Sequence, residues 1–162
     1  CKRARARRSK KLHGKAYCGY CAAKKEKFFG WRLHLVCTAE GLPVAFDLLP
    51  AGEHDLTPIH ELTVNLPRGA RVFGDKGYVS AEDARTIFEE TGVRLVAIPR
   101  DNMLPNSWAD EYDMRCYRKQ IECVYSQLEK MGCQRLHART NLGFDLKAWA
   151  SLLALAFTNI LN

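Results

Sequence analysis

Residues 70 to 98 spell strand, helix, strand, and few folds accommodate that order. Val72-Phe73 is a short apolar run that stops at Gly74. Ser80-x-x-Asp83 resembles a capping box with Asp in place of Glu, Ala84, Ile87 and Phe88 are assigned to an inward face, and Gly92 ends the helix. Val93 to Ile98 is a second apolar strand. A helical crossover of this length makes the two strands parallel. The class is therefore α/β. Asp75 follows the first strand directly, at the edge where open α/β sheets bind ligands. Asp close to Gly is also common in turns, and on this stretch alone both readings stand.

The flanking sequence adds a hairpin and further helices. Residues 13 to 27 carry Gly14, Gly19 and four lysines, and read as a loop. From 28 to 38, Trp31, Leu33, Leu35 and Cys37 alternate with Arg32, His34, Val36 and Thr38, the period of a half-buried strand. Glu40-Gly41 turns the chain into a second strand, Leu42 to Leu49, so this pair is antiparallel. His34 falls on its polar face. Thr57-Pro58 marks a helix start that continues through Ile59, Leu62 and Leu66. Residues 99 to 113 are a polar loop in which Trp108 is expected to cover a core edge. A long helix over 113 to 131 places Met114, Tyr117, Ile121, Val124, Tyr125, Leu128 and Met131 on one stripe. Glu122 lies beside that stripe, and Arg118 is one turn earlier. Arg135, His137, Arg139 and Asn141 follow in a loop. A final helix over 144 to 161 presents Trp149, Leu152, Leu153, Ala156, Phe157 and Ile160, as a core-packing or dimer-contact face.

Charge is concentrated at one end. Residues 1 to 15 hold eight of the 25 Lys and Arg and no acid; the remaining 17 stand against 18 acidic residues, a balance of −1. The net charge of +7 thus belongs to one arm. Arg3, Arg5, Arg7, Arg8, Lys10 and Lys11 are its candidate phosphate contacts, which carry affinity and salt dependence but read no bases. The domain reading is a basic arm and loop over 1–27 and a folded domain over 28–162. No apolar run approaches the length of a membrane span. The basic start is not followed by the apolar core of a secretory signal, so the expected location is the cytoplasm.

Seven cysteines are an odd count for a disulfide scaffold. Cys18 and Cys21 have ligand-like spacing, but no second close pair completes a four-ligand zinc site. Cys37, Cys116, Cys123 and Cys133 sit inside periodic segments and read as buried thiols.

Gly74-Asp75-Lys76-Gly77-Tyr78, followed by Arg118-x-x-Ile121-Glu122-x-x-x-Ser126-Gln127-Leu128, resembles a bacterial insertion-sequence transposase of the DDE type, insertion-sequence family 982 in particular. The resemblance runs over roughly residues 13 to 162. It implies an RNase H-like mixed sheet with flanking helices, here lacking its first strand. It also implies DNA cleavage and strand transfer with two divalent ions, Mg²⁺ or Mn²⁺. It maps the second and third carboxylates onto Asp75 and Glu122, as catalytic and metal-holding residues. The first Asp has no match, since no acid precedes Glu26 and Asp47 lies inside a strand. The expectation is an N-terminally truncated catalytic domain, inactive by itself. Lys76 and Arg118 are the expected phosphate contacts of the site. Of the family's Tyr, Arg, Glu and Lys motif, Arg118 and Glu122 match, Arg115 replaces the Tyr, and Lys130 is one place late. Related transposases often carry a His-Asp pair where His54-Asp55 stands. The implied partners are element-end and target DNA and a second copy in the synaptic complex. A metal-dependent nuclease of the same fold and a DNA-binding remnant are the alternative functions.

Overall fold

A computed structural model describes residues 15–21, 25–133, 136, 138 and 140–161. In chain order the strands and helices are β1 (Cys18–Cys21), β2 (Glu26–Phe29), β3 (Trp31–Cys37), β4 (Pro43–Pro50), α1 (Ile59–Thr63), β5 (Arg71–Gly74), α2 (Ala81–Thr91), β6 (Arg94–Ala97), α3 (Trp108–Lys130) and α4 (Asn141–Leu161). They form two compact units. One holds the described residues through Glu53 and from Glu122 onward; the other is His54–Ile121. The architecture is mixed α/β. Its described strands pair as three two-stranded ladders, where the sequence suggested one sheet. Each ladder joins strands consecutive in the chain, and no described strand bridges two of them.

In the first unit, β1 and β2 are antiparallel, from Cys18↔Phe29 to Cys21↔Glu26. This corrects the reading of residues 13 to 27 as loop. Four-residue strands interrupted by Gly and Lys are too short to show a period. Cys18 and Cys21, three apart on β1, project to opposite faces of the strand, which is unsuited to a shared metal ion. The hairpin of β3 and β4 forms as expected, from Trp31↔Pro50 to Cys37↔Pro43. Leu33, Leu35 and Cys37 pack against Val124, Leu128, Cys133, Leu152 and Leu155. Burial pushes the Cys37 thiol up to about 12, which keeps it protonated and inert. Cys116 and Cys123 are exposed, contrary to the reading of buried thiols. His34 is 3% exposed, so it is not a polar-face residue: both faces of β3 are covered at this point. Trp31 stacks on Phe144 with ring centroids 4.3 Å apart, and Tyr17 meets its edge at 5.0 Å.

Helix α4 buries a different stripe from the one expected to pack in the core, sharing only Leu152 with it. Phe144, Ala148, Leu152 and Leu155 are the buried stripe. Trp149, Leu153, Phe157 and Ile160 are each at least half exposed. The helix is apolar on two faces, and periodicity alone cannot choose which one packs.

In the second unit, β5 and β6 are parallel and in register from Arg71↔Arg94 to Gly74↔Ala97. Ile59, Ile87, Val93 and Leu95 form their core. Ser80 caps α2 by accepting from the Asp83 amide at 3.1 Å. Gly92 ends it with φ +73, a left-handed conformation that other residues adopt only with strain. Phe88 is 58% exposed rather than inward, because it lies a full 100° around the helix from buried Ile87. α1 is capped at Pro58 without a side-chain bond, so Thr57 is not its cap, and the helix stops at Thr63 before Leu66. α3 begins at Trp108, five residues before the expected start. Ser107 accepts from the Asp110 amide at 3.2 Å and donates to its carboxylate at 2.7 Å, which nucleates the helix there. Trp108, 79% exposed, stacks on Tyr112 and covers no core edge.

Candidate active site

The chemistry proposed from the sequence begins where β5 ends. Asp75 takes an extended conformation and opens a 3-10 turn, Lys76–Tyr78. Its carboxylate accepts from the Lys76 amide at 2.7 Å, and its carbonyl accepts from the Tyr78 amide at 2.9 Å. Asp75 is therefore both a turn residue and an exposed carboxylate on the C-terminal edge of a parallel strand pair. The two readings offered by the sequence are not exclusive.

The loop leaving β6 starts from that same edge. Its Asp101 meets Lys76 at 2.7 Å, with side chains 95% and 50% exposed. The hydrogen bond from Lys76 and its charge hold the Asp101 carboxyl below the usual carboxylate range. The Lys76 ammonium thus already has an anionic partner, which the sequence did not signal. Asn106 fastens the far end of this loop by donating to the Ala97 carbonyl at 3.0 Å. Between the loop and α2 lies a cavity of about 210 Å³ lined by Tyr78, Ser80, Ala84, Leu95, Met103 and Asn106, among others.

At the opposite end of the same strands sits a cluster that sequence reasoning missed. Asp110 is 3% exposed and accepts from Arg94 at 2.5 Å and Arg71 at 3.4 Å, while Arg71 also pairs with Asp113 at 2.6 Å. The Ser107 hydroxyl first, then the Arg94 and Arg71 charges, hold the Asp110 carboxyl low. Because Arg71 and Arg94 are register partners, one buried carboxylate ties the start of α3 to the first residues of both strands. The signal was Ser107-x-x-Asp110, the same pattern as Ser80-x-x-Asp83.

Glu122 and Arg118 are exposed on α3, four residues apart. Asp75, Lys76 and Arg118 belong to the second unit and Glu122 to the first. Among the described residues, no three His, Cys, Asp or Glu side chains gather around a common metal position. Arg3, Arg5, Arg7, Arg8, Lys10 and Lys11 lie outside the described residues, as do Arg135, His137 and Arg139 of the later loop.

A family profile described as the transposase DDE domain matches residues 2–157, nearly the whole chain. The transposase for insertion sequence element IS1106 of Neisseria meningitidis serogroup B is 35% identical over 60 residues. That stretch is 37% of this chain and 21% of the relative, so the similarity covers about a fifth of that protein. Neither match carries the finer assignment to insertion-sequence family 982. No solved structure matches the chain.

Proposed function

Since this chain belongs to the family of transposase DDE domains, we propose that it is catalytic core from an insertion-sequence transposase, with Asp75 and Glu122 as two of its acidic residues. In this reading the complete enzyme cuts element-end DNA and joins the freed 3′ end to target DNA. The observation that carries it is the position of Asp75, an exposed carboxylate ending a strand of a parallel pair. An antiparallel hairpin followed by a strand-helix-strand crossover supports an RNase H-like fold.

Asp75 and Glu122 are exposed, hard oxygen donors, and a Mg²⁺ ion is commonly held by one or two carboxylates with water and substrate phosphate. In this reading Asp75 and Glu122 are the residues that would hold the ion. When bound, such ions supply charge neutralisation at the phosphate and activate the attacking oxygen. The chain's own residues do the rest. Asp75 is held by its turn so that its carboxylate faces solvent beside the strand edge. Lys76 exchanges Asp101 for a phosphate oxygen, a charge-assisted contact of the same kind. Arg118 binds a second phosphate oxygen, for which its planar fork is suited. Asp47 bonds its own neighbour, the Leu48 amide, at 2.7 Å and is not offered as the third carboxylate. Two carboxylates clamp less than the full pair of ions, so the chain alone is expected to transfer no strands.

The test is Mg²⁺-dependent cleavage and joining of element-end DNA by the complete protein, beside Asp75→Asn and Glu122→Gln. Loss of both products in both variants supports the reading. Unchanged activity in either variant removes that residue from the site. Cleavage without any joined product would instead identify a nuclease.

A further inference from the structure

The second glycine of Gly74-Asp75-Lys76-Gly77-Tyr78 is not explained by its backbone. Positive φ angles among the described glycines occur at Gly30, Gly41, Gly69, Gly92 and Gly132, and Gly77 is not one of them. An L-residue could adopt its conformation. Space is what excludes one. A Cβ built on Gly77 would collide with Oδ2 of Asp55, and would lie 3.1 Å from its Cγ and 3.2 Å from its Cβ. All three nearest atoms belong to that one side chain. The Asp55 carboxylate therefore lies flush against the turn, two residues past Asp75.

Asp55 approaches from a firm base. The Thr57 amide donates to the His54 carbonyl at 3.1 Å, and the Leu56 amide to His54 Nδ1 at 3.3 Å. Pro58 and Ile59 behind it are buried, and Leu56 and Ile59 pack in the same core as Val72 and Tyr78. The turn itself is a single 3-10 turn with no fully buried residue, a geometry that holds weakly by its own hydrogen bonds. It is pinned from one side by Tyr78 in the core and from the other by Asp55.

We propose that Asp55 is a positioning residue for Asp75: its carboxylate, received by the bare Cα of Gly77, fixes the Asp75–Tyr78 turn and thereby the direction of the Asp75 carboxylate. The idea rests on the catalytic reading of Asp75 given above. Misplacing a reacting group by about 1 Å costs on the order of 100-fold in rate, so a turn that shifts is enough to matter.

The experiment uses the complete protein with Asp55→Ala, Asp55→Asn, Gly77→Ala and the Asp55→Ala/Gly77→Ala pair, with Asp75→Asn as control. Thermal midpoints, affinity for element-end DNA and the Mg²⁺-dependent cleavage rate are measured for each. Asp55→Ala and Gly77→Ala are expected to slow cleavage by roughly 10- to 100-fold while DNA affinity changes by less than about twofold. Asp55→Asn, which keeps the shape, recovers most of the rate. The pair is no worse than either single change, because both act through one contact. Strictly additive losses of midpoint and rate, or wild-type cleavage by Asp55→Ala, would overturn the proposal. If Asp75→Asn cleaves normally, the catalytic reading falls and the positioning role falls with it. A non-additive midpoint cycle would then leave Asp55 and Gly77 as a structural contact only.

Discussion

Lys76 and Asp101 are both bathed in water, so their pairing adds little to folding. In the proposed reading, in which Lys76 contacts DNA, its consequence is competition: Asp101 holds the place of the phosphate. Asp101→Asn should leave the thermal midpoint within about 1 °C. It should tighten DNA binding by roughly two- to fivefold at low salt, an advantage that shrinks once salt screens exposed charges. Fluorescence anisotropy across a salt series reads this, and weaker binding would show that Lys76 needs Asp101 to point it. Asp110 is the opposite case, a carboxylate out of water with two guanidinium partners. Its removal should cost about 2 kcal/mol, since two charged hydrogen bonds disappear but both arginines can resolvate. Its folded pKa lies below the unfolded value, so its stabilisation is complete above the ordinary carboxylate pKa and is lost as pH falls through the folded one. Asp110→Asn should therefore flatten the loss of stability below about pH 4 in urea titrations. Asp75 could be named from sequence because a strand, a carboxylate and a glycine are adjacent in the chain. The ion pairs of Asp101 and Asp110 could not, because Lys76 lies 25 residues from the first and Arg94 and Arg71 lie 16 and 39 residues from the second; only the Ser107 cap of Asp110 was signalled locally.

Local chemistry was legible wherever one element decided it alone. Ser80, Gly92 and the parallel register of β5 and β6 follow from caps and crossover length. Ser80→Ala should cost about 1 kcal/mol, as removal of an N-cap side chain usually does. What could not be read was any choice settled by a neighbour. The α4 sequence carries two apolar stripes, and only packing selects Phe144, Ala148, Leu152 and Leu155. The two stripes make a sharp comparison. Leu152→Ala should destabilise by about 2–5 kcal/mol, whereas adjacent Leu153→Ala, 53% exposed, should cost under about 0.5 kcal/mol. Equal costs in denaturant melts would mean that the Leu153 face is covered too. The β1–β2 hairpin escaped for a different reason: its four-residue strands are too short to carry a period of their own.

At the scale of the molecule, the chain separates its charge from its core. Residues 2 to 11 hold seven basic side chains, so removing them takes the net charge from +7 to 0. A remainder of zero net charge has no net monopole attraction for DNA, and in the proposed reading its remaining contacts are local, at Lys76 and Arg118. No helix among the described residues is long and apolar enough to cross a membrane. If the arm is the electrostatic footprint, deleting residues 2–11 should weaken non-specific DNA binding at least about tenfold near physiological salt. The slope of log affinity against log salt should fall by up to about 6, at roughly 0.9 for each phosphate the arm no longer neutralises. The preference for element-end over random DNA should survive the deletion, since contacts to phosphate position a protein without reading sequence. A deletion that kept its affinity and slope would move the footprint onto the folded units. A deletion that abolished the preference as well would mean that the arm also reads bases, through arginines whose planar fork can pair with a guanine edge.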